Sequence, residues 1–173
     1  MAIRKVARMG HPVLRTPAAP VGLPVDARVR ELAADMLATM RDEGGVGLAG
    51  PQIHESLRMI VFHAPAPANA PLEEHAPETI LLNPDWEPLD DTVDEGREGC
   101  LSIPGLVGEV PRWYRIRYWG WDLEGQPLSR EAVGFHARVV QHECDHLDGI
   151  LYLDRMPELT SLAFTTELGR ETP

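Results

Sequence analysis

The sequence predicts an α+β fold in which antiparallel or mixed β-sheets pack around a central helix carrying His-Glu-x-x-His. Three observations predict it. Apolar residues recur at helical spacing early in the chain, from Val29 to Met40. A block of strand-like segments then runs from Leu57 to Val133 with no helical run between them. A second helical run covers about Gly134 to Leu147. Strands grouped between helices, rather than alternating with them, argue against a parallel βαβ sheet.

Each element has a local reason. The opening from Met9 to Pro20 is proline-rich and is expected to run extended over the surface. Asp26 suits the N-cap of the first helix, where Val29, Leu32, Ala33, Met36, Leu37 and Met40 form a core-facing stripe. Gly44-Gly45 stops it. A glycine-punctuated segment, Gly45-Val-Gly-Leu-Ala-Gly-Pro-Gln52, leads into a strand over Leu57 to His63. The Pro/Ala-rich stretch from His63 to Pro77 reads as a long surface loop. Further strands are predicted at Thr79–Asn83, within Glu87–Glu98, and at Val107–Val110, Trp113–Asp122 and Pro127–Val133, with a turn at Glu124-Gly125. The tail from Leu151 to Pro173 breaks at Pro157 and holds at most a short helix.

Composition narrows the function. The chain has 173 residues, 43% hydrophobic and 25% charged, which suits a single domain spanning 1–173 that needs no metal or disulfide to build its core. The formal net charge of -11 argues against a general nucleic-acid surface. Arg112, Arg115 and Arg117, interleaved with Trp113, Tyr114 and Tyr118, read as the two faces of one strand rather than an RNA-binding patch. No apolar run is long enough for a membrane span, and the first residues lack the apolar core of a signal peptide. A cytoplasmic setting with Cys100 and Cys144 reduced is the expectation.

The chemistry concentrates at Gln141-His-Glu-Cys-Asp-His146. On a helix, His142 and His146 stand one above the other and can chelate one divalent cation. Glu143, one step round, can take the proton of a water that such a cation acidifies. A catalytic site needs a third protein ligand. Six residues after His146 stands Tyr152, not a third histidine. Two candidates remain, Glu167 downstream and Cys100 upstream. Cys144 lies about 200° round the helix from His142 and reads as a core thiol.

Three segments taken together carry a family resemblance. Gly45-Val-Gly-Leu-Ala-Gly-Pro-Gln52, Glu98-Gly-Cys-Leu-Ser102 and Gln141-His-Glu-Cys-Asp-His-Leu-Asp-Gly149 resemble the three signature motifs of peptide deformylases, in that family's order. Pro12-Val-Leu-Arg15 resembles its opening. The resemblance implies a hydrolase that removes the formyl group from N-formylmethionyl peptides and releases formate. It implies Cys100, His142 and His146 as ligands of Fe2+, with Zn2+ or Ni2+ accepted. It implies Glu143 as general base and acid, and Gln52 with the backbone N–H of Leu101 as oxyanion donors. Gly45, Val46 and Gly47 would lie along the substrate backbone. The ribosome near its exit tunnel is the implied larger partner, with neither membrane nor specific nucleic acid.

Other roles stay open on the residues alone. Phe135 and Val139 share a helix face with His142 and either line a pocket for the methionine side chain or pack in the core. Glu98 is either an orienting partner for a ligand or a solvated carboxylate. Gly50 stands where the family pattern usually has Ala, which suggests a looser loop. The C-terminal tail carries no long basic helix of the kind found in some bacterial members. Two rival readings are a zincin-type endopeptidase using Glu167 and a non-enzymatic metal- or peptide-binding module.

Overall fold

The computed structural model describes residues 1–169; residues 170–173, the end of the predicted tail, lie outside it. The element order is helix, strands, helix. Helix α1 (Ala27–Asp42) is followed by β1 (Gly47–Ala49), β2 (Met59–Ala64), β3 (Ala76–Pro88), β4 (Val93–Cys100), β5 (Ile103–Trp113), β6 (Arg115–Trp121) and β7 (Pro127–Val133). Then come α2 (Gly134–Leu147), the single turn α3 (Tyr152–Arg155) and the short β8 (Ala163–Phe164). One sheet runs β1-β2-β3-β6-β7 and the other β4-β5-β8. Every strand pairing within them is antiparallel.

Helix α2 is central. It touches strands of both sheets, and every residue from His136 to Leu147 is buried. A helix buried all round is usually apolar. This one carries Arg138, Gln141, His142, Glu143, Asp145 and His146 inside, so each needs a partner or a purpose. Its apolar side, Ala137, Val139, Val140, Cys144 and Leu147, joins Ile60, Phe62, Leu81, Ile116 and Tyr118 in one core cluster. Cys144 is therefore a core thiol, with its pKa pushed upward by burial.

Helix α1 begins where Asp26 Oδ1 accepts from the Val29 N–H at 2.8 Å and stops at Gly44, whose φ is +67°. Its stripe packs on Leu48, Met59 and Val61. The pattern did not reveal its second contact. Asp35 and Thr39 are buried and accept from the N-terminal segment through Ala2 N, Arg4 N and Arg4 Nε.

Three local expectations change. The opening is not uniformly extended: Pro12–Arg15 forms a 3-10 turn that buries Leu14, because His11 caps the Val13 N–H and proline suits a first helical turn. β3 extends well past Asn83, since a bulge between Leu82 and Asp85 absorbs the turn-forming residues. Asn83, in the left-handed region, then ties to Val21 N and O. Arg112 does not share a strand with Arg115 and Arg117. It is the penultimate residue of β5 and is buried, while the other two sit exposed on β6.

Gly50 also departs from expectation. It sits in a buried 3-10 turn, Gly50–Ile53, where an added Cβ would lie 2.6 Å from Leu57 O and 2.8 Å from Glu55 O. The loop is tight there, not loose. Gly50→Ala is expected to cost about 1–3 kcal/mol of stability through overpacking. The urea midpoint should fall with an unchanged denaturant slope; an unchanged midpoint would contradict the close backbone contact.

Candidate metal centre and substrate groove

Cys100 ends β4, at the tip of the hairpin whose return strand β5 starts at Ile103. That hairpin folds against α2. One ligand atom each from Cys100, His142 and His146 lies within 4.8 Å of the others, and this is the group of three among the described residues able to hold a cation. Cys100 Sγ is 3.3 Å from His146 Nε2. The two imidazole rings sit 5.0 Å apart at 78°. Glu167 lies in the exposed turn Thr165–Glu167 and is not a member of the cluster, so the zincin arrangement finds no support.

The surroundings fix the donors. His142 Nδ1 meets Glu98 Oε2 at 2.8 Å, which leaves Nε2 as the available ligand atom. Glu98 is thus an orienting carboxylate, not a solvated one, and is itself gripped by Arg112 through Nε at 2.9 Å and Nη2 at 3.0 Å. Arg112 also reaches Asp145 Oδ2 at 2.6 Å, which returns the chain of charges to α2. Arg155 closes it on the solvent side against the same aspartate. The Tyr152 ring stacks over His142 at 6.3 Å.

Charge follows from this packing. Burial works against the ionised Glu98, but hydrogen bonds from His142 and Arg112 hold its carboxyl well below the usual range. Burial would likewise raise Cys100, yet His146 and His142 outweigh it and hold the thiol far down, as a cation-ligating sulfur requires. For His142, burial works downward, but hydrogen bonds to Cys100 and Glu98 carry its pKa well up. Burial pushes Glu143 up to about 7. Two buried atoms at the cluster, Glu143 Oε2 and His146 Nδ1, have no hydrogen-bond partner among the described residues. A soft thiolate, two imidazoles and an unpartnered carboxylate oxygen fit a divalent transition-metal ion with a reactive water.

Gln52 sits in the 3-10 turn Gly50–Ile53 after β1 and is almost wholly buried. Its Oε1 accepts from Ala49 N at 2.8 Å, so the amide cannot turn freely. Its Nε2 lies 3.5 Å from Cys100 Sγ and 3.2 Å from Ser102 Oγ. Leu101 stands next to the thiol and lines the same cavity, which measures about 470 Å³. Gly45, Val46 and Gly47 line one wall, β4 from Arg97 to Cys100 another, and Phe135 and Val139 a third side. Both β1 and β4 are edge strands, so an extended peptide can enter between them.

The whole sequence matches what this geometry suggests. Residues 3–161 fit the family profile described as Polypeptide deformylase. The chain belongs to the polypeptide deformylase family. Peptide deformylase 1 of Bordetella pertussis is 49% identical over 169 residues, covering 98% of this chain and 96% of that one. Peptide deformylase 2 of Ralstonia nicotianae is 46% identical over 171 residues, covering 99% and 97%. A solved class I type b peptide deformylase from Acinetobacter baumannii superposes with a TM-score of 0.81 at 35% identity, covering 90% of this chain and 99% of that one. The protein is thus a metal-dependent deformylase that frees formate from the N-formylmethionine of new polypeptides.

Sequence reasoning named Cys100, His142, His146, Glu143, Gln52, Leu101 and the groove residues, and the fold places them in one cluster and the cavity beside it. It missed Arg112, Arg138, Asp145 and Ser102 as members of the site. Asp145 lay inside a quoted motif; the arginines sit on separate elements and only tertiary packing joins them to Glu98.

Gly47 has a sharper role than backbone approach. A Cβ there would stand 2.2 Å from Glu143 Oε1 and 2.6 Å from its carboxyl carbon. Gly47→Ala is expected to displace that carboxylate and, if the Glu143 carboxylate moves the proton, to lower the turnover of formate release by about 10²–10⁴-fold. Wild-type turnover in that variant would contradict the contact.

Proposed function

We propose that Cys100, His142 and His146 hold one divalent cation, Fe2+ in the native enzyme with Zn2+ or Ni2+ able to replace it, and that the groove offers it the formyl group of an N-formylmethionyl peptide. The observation that carries this reading is the convergence of a strand thiol and two helix imidazoles within 4.8 Å. When bound, the cation supplies Lewis acidity that polarises the formyl carbonyl and acidifies a water.

The chain's own residues do the rest. Glu143, buried against Gly47, takes a proton from water at its carboxylate and later gives it to the leaving amine. Gln52 Nε2 and the Leu101 N–H donate to the oxygen as negative charge grows on it. An oxyanion donor of this kind is worth about 2.7–4 kcal/mol of barrier. Glu98 keeps His142 in one orientation and one tautomer.

The substrate lies as an added strand along Gly45, Val46 and Gly47. Phe135 and Val139 flank its methionine side chain: Val139 is buried, while Phe135 is half-exposed and closes the pocket from the solvent side. The Acinetobacter baumannii relative is solved with Met-Ala-Ser bound, a peptide of the kind this groove would release. Residues 1–173 act as one catalytic domain. The substrates are nascent chains, so the enzyme works in the cytoplasm, near the ribosomal exit tunnel. No helix among the described residues is long and apolar enough to cross a membrane.

Formate release from formyl-Met-Ala-Ser by anaerobically prepared, iron-loaded protein tests the reading. Glu143→Ala should keep the cation and lose about 10²–10⁴-fold in turnover. Cys100→Ala should fail to retain the cation. A fully loaded protein that releases no formate, or a Cys100→Ala variant that holds its cation unchanged, would refute the proposal.

A further inference from the structure

Arg138 has no part in the chemistry above, yet it is buried in the wall of the groove, one turn before His142. Its guanidinium makes an unusual set of bonds. Nη1 donates to Glu98 Oε1 at 2.9 Å, to Val110 O at 2.7 Å and to Gly96 O at 3.2 Å. Nη2 donates to Asp94 O at 2.8 Å and Asp94 Oδ2 at 3.2 Å. One side chain of α2 therefore holds the backbone of β4 at two places, the backbone of β5 at a third, and the carboxylate that orients His142.

The position matters because of the sheet. β4 is an edge strand with β5 on one side only, and it ends in Cys100. Arg112 links Glu98 to Asp145 through side chains alone. Among the described residues, Arg138 is the side chain whose hydrogen bonds tie the backbone of β4 itself to the helix bearing both histidines. The contact also explains a glycine. A Cβ on Gly96 would lie 2.8 Å from Arg138 Nη2 and 2.9 Å from Cζ, so the guanidinium fits only because residue 96 has no side chain.

We infer that Arg138 is a positioning residue that sets the separation of the Cys100 strand from the His142–His146 helix, with Gly96 as its required partner. The inference rests on the cation site proposed above. A planar guanidinium with donors directed along a rigid fork can serve five acceptor atoms on four residues of two strands; a lysine ammonium cannot reach them together.

Arg138 also borders the groove, so activity alone would not separate positioning from substrate contact. The test uses cobalt(II)-loaded holoenzyme, reading the rate of cation loss to a chelator and the visible spectrum of the bound ion. Arg138→Ala is expected to lose cobalt about 10–100-fold faster than wild type with an altered spectrum, and Arg138→Lys to recover only part of that loss. Gly96→Ala alone should shift both readouts in the same direction, and should add little in the Arg138→Ala background, where its clash partner is gone. If Arg138→Lys and Gly96→Ala both retain cobalt with wild-type rate and spectrum, or if the two alanine effects simply add, the inference is overturned. A wild-type chain that retains no cobalt would overturn the cation-site reading, and this inference with it.

Discussion

The contact that the rest of the molecule serves is the 3.3 Å approach of the Cys100 sulfur to His146 Nε2. It joins an edge strand to a buried helix, two elements with no backbone pairing between them. Nothing in a strand's hydrogen-bond ladder or a helix's own bonds fixes their separation. Side chains must do it, and those that do are charged and buried: Glu98, Arg112, Arg138 and Asp145. Cys100, His142 and His146 can converge because this ionic frame holds the hairpin tip against α2.

Such a frame is an unpromising source of stability. Taking carboxylates and guanidinium groups out of water costs several kcal/mol per ion, and apolar replacements of similar volume are often equally stable. Its value here lies in geometry. The two carboxylates of this frame each receive more than one donor: Glu98 from Arg112, Arg138 and His142, Asp145 from Arg112 and Arg155. Such pairs tolerate little displacement, because removing one partner strands the other charge. The apolar core cluster on the opposite side of α2, with Val140, Cys144 and Leu147 packed against the five-stranded sheet, supplies the burial that opposes the loss of chain entropy. The two faces of one helix thus divide the work, one holding the fold and the other holding the site.

This division also explains what was legible in the sequence. His142 and His146 are readable because helical spacing alone puts them on one face. Asp26, Gly44 and the stripe from Val29 to Met40 mark α1 through local rules, and the structure follows them closely. Cys100, Gln52 and Gly47 are far from α2 in sequence: ligand chemistry left Cys100 as one of two candidates until whole motifs were matched, and the roles of Gln52 and Gly47 came only from that match. Arg112 was misread because alternation within one stretch cannot show that the chain turns at Tyr114 and starts a new strand. Glu98 was left open because a carboxylate beside a cysteine looks the same whether it faces water or two arginines. Gly50 looked like looseness, whereas a Cβ there would press on two backbone carbonyl oxygens. The two-residue strand β8 carries too little pattern to read at all; its pairing with Leu106 and Val107 is purely tertiary.

X-ray absorption at the metal edge of the zinc-loaded protein tests the central claim most directly, because it counts the atoms around the ion without reference to activity. Convergence of Cys100, His142 and His146 predicts one sulfur at about 2.3 Å and two imidazole nitrogens at about 2.0–2.1 Å. A shell of nitrogen and oxygen alone, with no sulfur, would contradict it.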